Sequence, residues 1–259
     1  MKADLHNHTY LCNHAKGEMK DYVETAIKNK TKYFGFSDHA PLNPDDGYRM
    51  KFEDMDFYEK EVKKLKDIYQ DKIEILLGYE VDFIEGHLDD RVINSNVDYL
   101  IGSIHYLKRW NFDNPEYISE YKNKDIDKIW EDYFKAVEDM AKTGLFQIAG
   151  HLDLIKVFNF KPKKDVRKIA KEAIKAIKRA NMVVEINASG LRKPVKEIYP
   201  SNELLELIKE YDIDITLSSD AHEPSQVGKY SKEIENVLKK FEFDKCAIFR
   251  NREKSLIKI

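Results

Sequence analysis

The chain has 259 residues, 42% hydrophobic and 35% charged, with 44 Lys+Arg against 47 Asp+Glu and a formal net charge of −3. That length fits one large domain over 1–259, since α/β barrels reach this size without splitting, and the near-balance of charge argues against the polycationic face that dominates general nucleic-acid binding. Cys12 and Cys246, near opposite ends, form no disulfide framework or thiolate metal motif and fit a reducing cytoplasm, and no apolar run approaches the roughly 18 residues that cross a bilayer.

In chain order, the first predicted strand is ADLHNH (3–8), followed by a helix near 18–30 and the strand YFGFSDH (33–39). A helix near 54–71 leads into the strand IEILLGYEVDF (73–83), and VDYLIGSIH (97–105) is the fourth strand. The helix near 125–142 carries Ile126, Ile129, Trp130, Tyr133, Phe134, Val137 and Met140 as an apolar stripe at helical spacing. LFQIAGH (145–151) precedes the helix near 164–180, where Val166, Ile169, Ala170, Ala173, Ile174 and Ile177 leave a Lys/Arg/Glu face to water. MVVEINA (182–188), a helix near 201–211, IDITLSSDAH (213–222) and a helix near 225–240 complete the rhythm. Seven strands that each give way to a helix predict a closed or nearly closed parallel α/β barrel, a relative of the eight-fold TIM barrel, with an open doubly wound sheet as the alternative. The late run CAIFR is either an eighth strand or a peripheral one.

Six of the seven predicted strands end in residues able to bind a metal: His6 and His8, then His39, Glu80, His105, His151, and finally Asp220 with His222. In a parallel barrel all the carboxyl ends of the strands open on one face, so these scattered side chains converge. Residues two apart on a strand share a side, so His6 and His8 can grip one ion, as can Asp220 and His222. His14, in the first loop, reaches over the same mouth. His87, in IEGHLDD, is read as an ordinary surface or core histidine. One catalytic zinc uses about three protein ligands and a water, so nine candidate ligands suffice for two ions and more comfortably for three if carboxylates bridge. Imidazole and carboxylate without thiolate fit zinc, iron or manganese.

The ordered set HNH at 6–8, His14, SDHA at 37–40, GYE at 78–80, GSIH at 102–105, GH at 150–151 and SDAH at 219–222 resembles the polymerase-and-histidinol-phosphatase (PHP) superfamily across almost the whole chain. GSIHYL, AGHLDLIK and INASGLRKP are similar to its histidinol-phosphatase branch. The resemblance implies a distorted (β/α)7 TIM-like barrel with its active site at the C-terminal ends of the strands, as one metallohydrolase domain over 1–259. It further implies a three-metal cluster: His6, His8, Glu80 and Asp220 on one ion, Glu80 with His105 and His151 on a second, and His14, His39 and His222 on the third.

The activity so implied is hydrolysis of L-histidinol phosphate to L-histidinol and phosphate, in histidine biosynthesis, with two to three divalent ions as cofactors. In a site with two ions about 3.5–4 Å apart, a bridging water becomes hydroxide near neutral pH and attacks in line while bound phosphate oxygens spread the developing charge. A phosphate also needs fixed cations. Arg192, in the loop after the only strand without a metal ligand, is the first candidate for phosphate binding, and Lys156, five residues beyond His151, is the second. The segment 41–55 and the aromatic, charged insertion 106–124 are long enough to cover the mouth, with Asp45, Asp46 and Glu116 as candidate carboxylates for a cationic amino alcohol. The expected partner is a small phosphate ester, with neither nucleic acid nor membrane, in the cytoplasm. The alternatives are a phosphodiesterase or nuclease of the same superfamily, a broad-specificity phosphatase, and, outside it, a carbon–nitrogen amidohydrolase or a non-catalytic metal-binding module.

Overall fold

The computed structural model describes residues 1–259. Its elements run β1 (Ala3–Asp4), α1 (Met19–Lys28), β2 (Tyr33–His39), α2 (Met55–Tyr69), β3 (Glu74–Asp82), α3 (Asp90–Ile93), β4 (Tyr99–Ser103), β5 (Tyr106–Leu107), β6 (Trp110–Asn111), α4 (Ile126–Lys142), β7 (Ile148–Ala149), α5 (Val166–Arg179), β8 (Val183–Asn187), α6 (Asn202–Glu210), β9 (Ile215–Ser218), α7 (Ser231–Lys240), β10 (Lys245–Arg250) and β11 (Glu253–Lys258). Seven strands form one parallel sheet in the order β1-β2-β3-β4-β7-β8-β9.

The two ends of that sheet meet, which rules out the open doubly wound alternative. Leu5 N donates to Leu217 O at 3.0 Å, His8 N donates to Ala221 O at 2.9 Å, and Asn7 and Ala221 form a parallel bridge. Side chains reinforce this sparse seam. The buried Asp4 carboxylate accepts from Ser219 N (2.9 Å) and Ser219 Oγ (2.7 Å), so the first strand is latched to the last.

The helices follow the apolar stripes that predicted them. In α5 the buried positions are Ala170, Ala173, Ile174, Ala176 and Ile177, and the helix packs between α4 and α6. Asp125 and Asp165 cap α4 and α5 by accepting from backbone N–H groups two residues on, which supplies partners to otherwise orphaned first-turn donors. The last helix starts later than its periodicity suggests, at Ser231. Pro224–Gln226 form a tight turn, and Gly228 and Tyr230 adopt left-handed φ values of 67° and 65° that helical geometry excludes.

Three strands are shorter than expected. After Asp4, Ala149 and Ser218 the chain leaves the regular ladder and bends over the mouth, where Asp220 sits at φ 51°. Asp is among the few residues that tolerate this region, which marks a locally constrained backbone where a functional side chain is aimed. CAIFR is peripheral: β10 pairs antiparallel with β11, and this hairpin closes the N-terminal end of the barrel. Arg250 forks onto Glu74 at 2.6 and 2.8 Å, Lys254 pairs with Asp214 at 2.8 Å, and Phe249 stacks toward Tyr99 with ring centroids 6.2 Å apart.

Tyr99 fills the barrel interior. Its hydroxyl donates to Leu5 O at 2.6 Å, linking β4 to the start of the barrel across the core. Gly35 and Gly78 make room for it: a Cβ at Gly78 would lie 2.6 Å from the Tyr99 ring, and one at Gly35 would collide with its hydroxyl.

Candidate metal centre

The parallel register puts the carboxyl ends of all seven strands around one cavity of about 530 Å³. Of 19 lining residues only 2 are hydrophobic. Eight of the nine residues singled out in the sequence line it: His8, His14, His39, Glu80, His105, His151, Asp220 and His222. His6 lies beneath them, fully buried. His87 is elsewhere, its Nδ1 against Asn43 O.

Glu80 is the hub. Its Oε2 lies 2.8 Å from His39 Nδ1, 3.3 Å from His6 Nε2 and 3.7 Å from His8 Nε2, and its Oε1 lies 2.8 Å from His151 Nε2 and 3.7 Å from His105 Nε2. Asp220 Oδ1 approaches His8 Nε2 at 3.2 Å. Three overlapping sets have potential donor atoms within 4.8 Å of one another: His6, His8 and Glu80; Glu80, His105 and His151; and His8, His39 and His222. His14 stands beside the last set, its Nε2 3.1 Å from His222 Nε2 and its Nδ1 against Cys12 O at 2.9 Å.

Outside this shell stand three buried carboxylates: Asp38, whose place beside His39 in the sequence suggests that it orients a neighbouring imidazole, and Glu185 and Asp82, which sequence reasoning missed. Glu185 Oε1 holds His6 Nδ1 at 2.7 Å, Asp38 Oδ1 lies 3.3 Å from His8 Nδ1, and Asp82 Oδ1 holds His105 Nδ1 at 2.6 Å. Each occupies one ring nitrogen and leaves Nε2 facing inward, the arrangement by which an outer carboxylate orients a ligating imidazole. Glu185 Oε2 also accepts from His151 N at 2.7 Å, so β8, which bears no direct ligand, braces two others. The signal for Glu185 was a single acid inside the apolar run MVVEINA; for Asp82 it was the same-side spacing from Glu80.

The donor set passes a direct test of fit for metal ions. His6 Nε2, His8 Nε2, His39 Nδ1, Glu80 Oε2 and His151 Nδ1 are buried, and even the closest approaches among them, such as His39 Nδ1 to Glu80 Oε2 at 2.8 Å, lack hydrogen-bond geometry. Each such group costs about 1–3 kcal/mol if left unsatisfied, and native proteins rarely gather several at one point. Divalent cations accept these lone pairs, and an all-imidazole and carboxylate set fits zinc, iron or manganese.

The electrostatics agree. Burial opposes ionisation of Glu80, yet His6, His39 and His105 outweigh it and hold its pKa well below the usual carboxylate range. Asp220 is likewise held low, with His6 and His8 overcoming burial. Burial also opposes protonation of His105, but Asp82 and Glu80 push its pKa up to about 9. His39 and His222 are driven well below the usual value, first by burial, and so keep bare lone pairs. The floor of the cavity favours positive charge, and its rim offers neutral imidazoles.

Of the two cations expected to meet a phosphate, the fold brings one to the cavity. Arg192, in the turn after β8, lines it: Nη2 donates to Asp220 O at 2.7 Å, and Nη1 is buried without a partner. Lys156 does not reach it, which corrects that expectation. The turn at Leu154–Lys156 sets Lys156 Nζ 2.9 Å from Asp153 Oδ2 and 3.4 Å from Glu197 Oε2, and Nζ donates to Ile198 O at 2.8 Å, so the amine is consumed by a buried ion pair. Asp45 and Glu116 do not line the cavity, and Asp46 accepts from Tyr106 Oη at 2.5 Å. The acid that faces the cavity from the insertion is Asp113, whose Oδ1 is buried without a partner.

Comparison with known proteins gives consistent findings. The family model for the PHP domain matches residues 4–189. The chain is 36% identical over 230 residues to a probable histidinol-phosphatase of Deinococcus radiodurans, covering 87% of this chain and 88% of that one. It is 31% identical over 277 aligned positions to a probable histidinol-phosphatase of Schizosaccharomyces pombe, covering 96% of this chain and 88% of that one. In fold it resembles the histidinol phosphate phosphatase of Lactococcus lactis solved with zinc, L-histidinol and phosphate, with a TM-score of 0.78, 20% identity and 98% of each chain covered.

Proposed function

The chain belongs to the PHP domain family, and from that membership we propose that it is a metal-dependent phosphomonoesterase that hydrolyses L-histidinol phosphate to L-histidinol and phosphate, a step of histidine biosynthesis. The observation that carries this reading is the cavity floor, where imidazoles from most of the barrel strands converge on Glu80 beneath a rim bearing the half-partnered Arg192. All 259 residues act as one catalytic unit, the hairpin β10–β11 closing the end opposite the cavity. The two buried free cysteines suit the cytoplasm, and no helix is long and apolar enough to cross a membrane.

His6, His8, Glu80 and Asp220 would hold one ion, Glu80, His105 and His151 a second, and His14, His39 and His222 a third, His8 lying close enough to His39 and His222 to share it. Divalent ions, when bound, supply Lewis acidity toward phosphoryl oxygens and bring the ionisation of water toward neutral pH. Glu185, Asp38 and Asp82 keep the imidazoles oriented by holding Nδ1 of His6, His8 and His105. Arg192 presents Nη1 to a phosphate oxygen while Asp220 O fixes Nη2, a guanidinium geometry suited to phosphate. Cys12 is not a covalent nucleophile: it lies outside the cavity, burial pushes its thiol far up, and its Sγ donates to Thr9 O at 3.1 Å. Hydrolysis is read as direct in-line attack of water, the chemistry that a site holding divalent ions would favour. Asp113, which lines the cavity from the insertion, gives the substrate ammonium a buried counter-charge.

The test is phosphate release by the zinc- or manganese-loaded protein from histidinol phosphate and from p-nitrophenyl phosphate. Preference for histidinol phosphate by orders of magnitude in kcat/KM is expected. Equal or faster turnover of the generic ester overturns the substrate, and release of mononucleotides from single-stranded DNA in place of both overturns the reaction class.

A further inference from the structure

Asp82 stands at the end of β3, two residues beyond Glu80, and both of its oxygens are engaged. Oδ1 holds His105 Nδ1 at 2.6 Å, and Oδ2 accepts from Arg49 Nε at 2.5 Å. Arg49 comes from a different part of the chain, the loop after β2, yet it is only 4% exposed. Its Nη1 donates to Tyr48 O at 2.9 Å and lies 3.7 Å from Asp46 Oδ2. Asp46 in turn accepts from Tyr106 Oη, and Tyr106 Oη accepts from Asn111 Nδ2 at 3.3 Å. The loop 41–55 and the insertion 106–124, both of which line the cavity, thus converge through Arg49 on the carboxylate that orients His105.

An imidazole held by a carboxylate is only as well placed as the carboxylate. A buried Asp82 without Arg49 would carry an uncompensated charge and would be free to turn about its last bond. A guanidinium donating from one side fixes the carboxylate plane, and a lysine, a point charge on a flexible stem, cannot reproduce this.

We infer that Arg49 is a positioning residue that aligns His105 through Asp82 and thereby makes ion retention at the Glu80, His105 and His151 subsite depend on the loop at 41–55. The inference rests on the reading of His105 as a metal ligand. Arg49 lines the cavity yet makes no hydrogen bond to His105 or to any other residue of that subsite; the contact of its guanidinium with the ligand shell is the bond to Asp82.

The experiment is zinc titration of the chelator-stripped full chain, with a parallel Co2+ titration read by absorption, for wild type, Arg49→Met and Arg49→Lys, each checked for folding by circular dichroism. The wild type should bind at least two ions. Arg49→Met should bind one of them about tenfold to a hundredfold more weakly, the range for loss of an outer partner, with a changed Co2+ band. Arg49→Lys, which keeps the charge and loses the planar guanidinium with its Nε donor, should be intermediate. Asn13 Nδ2 still donates to the residue 49 carbonyl at 3.1 Å and Met50 N to His39 O at 3.4 Å, so the loop keeps anchors that do not involve the side chain. Wild-type affinity and spectrum in Arg49→Met overturn the inference. If Arg49→Met does not fold, wild-type affinity in Arg49→Lys overturns the positioning role, since charge alone then suffices. A wild type that binds fewer than two ions overturns instead the metal reading on which the inference stands.

Discussion

The two ends of the barrel are built from the same seven strands and solve opposite problems. At the N-terminal end every conspicuous charge has a protein partner: Arg250 forks onto Glu74, Lys254 meets Asp214, and the β10–β11 hairpin lays Cys246, Ala247, Ile248 and Phe249 against the core as a dry floor. At the C-terminal end five buried polar atoms of four histidines and a glutamate go without partners, and Asp220 bends through a left-handed turn to join them. The difference teaches where the strands' shared stability is used. One end satisfies itself, and the other holds lone pairs ready for cations and a substrate.

That contrast can be broken at several points, in falling order of expected effect on turnover. Stripping metal with a chelator should abolish phosphate release and lower the melting temperature by several degrees, because a ligand that binds only the folded state stabilises it; a melting curve indifferent to the chelator would mean that the cavity floor is satisfied without ions. Arg192→Ala should lower kcat/KM about a hundredfold, the scale for losing one charge-stabilising donor, with Arg192→Lys recovering part of it in steady-state assays. For Asp113→Asn the expected change is a KM about tenfold higher for histidinol phosphate and unchanged for phosphate esters without an amine, since one ionic contact contributes roughly 1.4 kcal/mol at that factor. Phe249→Ala, at the opposite end, should cost about 3–5 kcal/mol in denaturant unfolding while the folded fraction keeps its kcat. A fall in kcat at full folding would show that the ends are not independent.

Much of this was readable in the residues because each strand prints its two ends differently. Apolar runs such as VDYLIGS and MVVEINA declared the strands, and the polar residue that stops each run declared the mouth. The helices followed from stripes like that of α5. What stayed hidden depends on pairing between distant segments. Lys156 read as a free cation because its partners Asp153 and Glu197 are fixed only when the turn at 154–156 and the segment before Tyr199 meet. Asp82 and Glu185 resembled ordinary strand acids until the histidines beside them were in place. Of the terminal hairpin only the strand CAIFR was read, its partner staying hidden because the turn is carried by Asn251 and Arg252, at φ 49° and 67°, and an Arg at the second position conceals a turn that Asn-Gly would announce.

Tyr99 gives the fold a hereditary signature. Because its ring occupies the space a side chain at 78 would need and its hydroxyl the space of one at 35, neither glycine can gain a side chain while the tyrosine stands. A descendant of this barrel that keeps the tyrosine stays bound to glycine at both sites; one that trades it for a smaller residue is released at 78, where only the ring stands in the way, while a side chain at 35 still meets the Leu5 backbone at 3.0 Å. The glycine just before Tyr79 and Glu80 in GYE therefore answers to the packing of the barrel interior as well as to the candidate metal ligand two positions on.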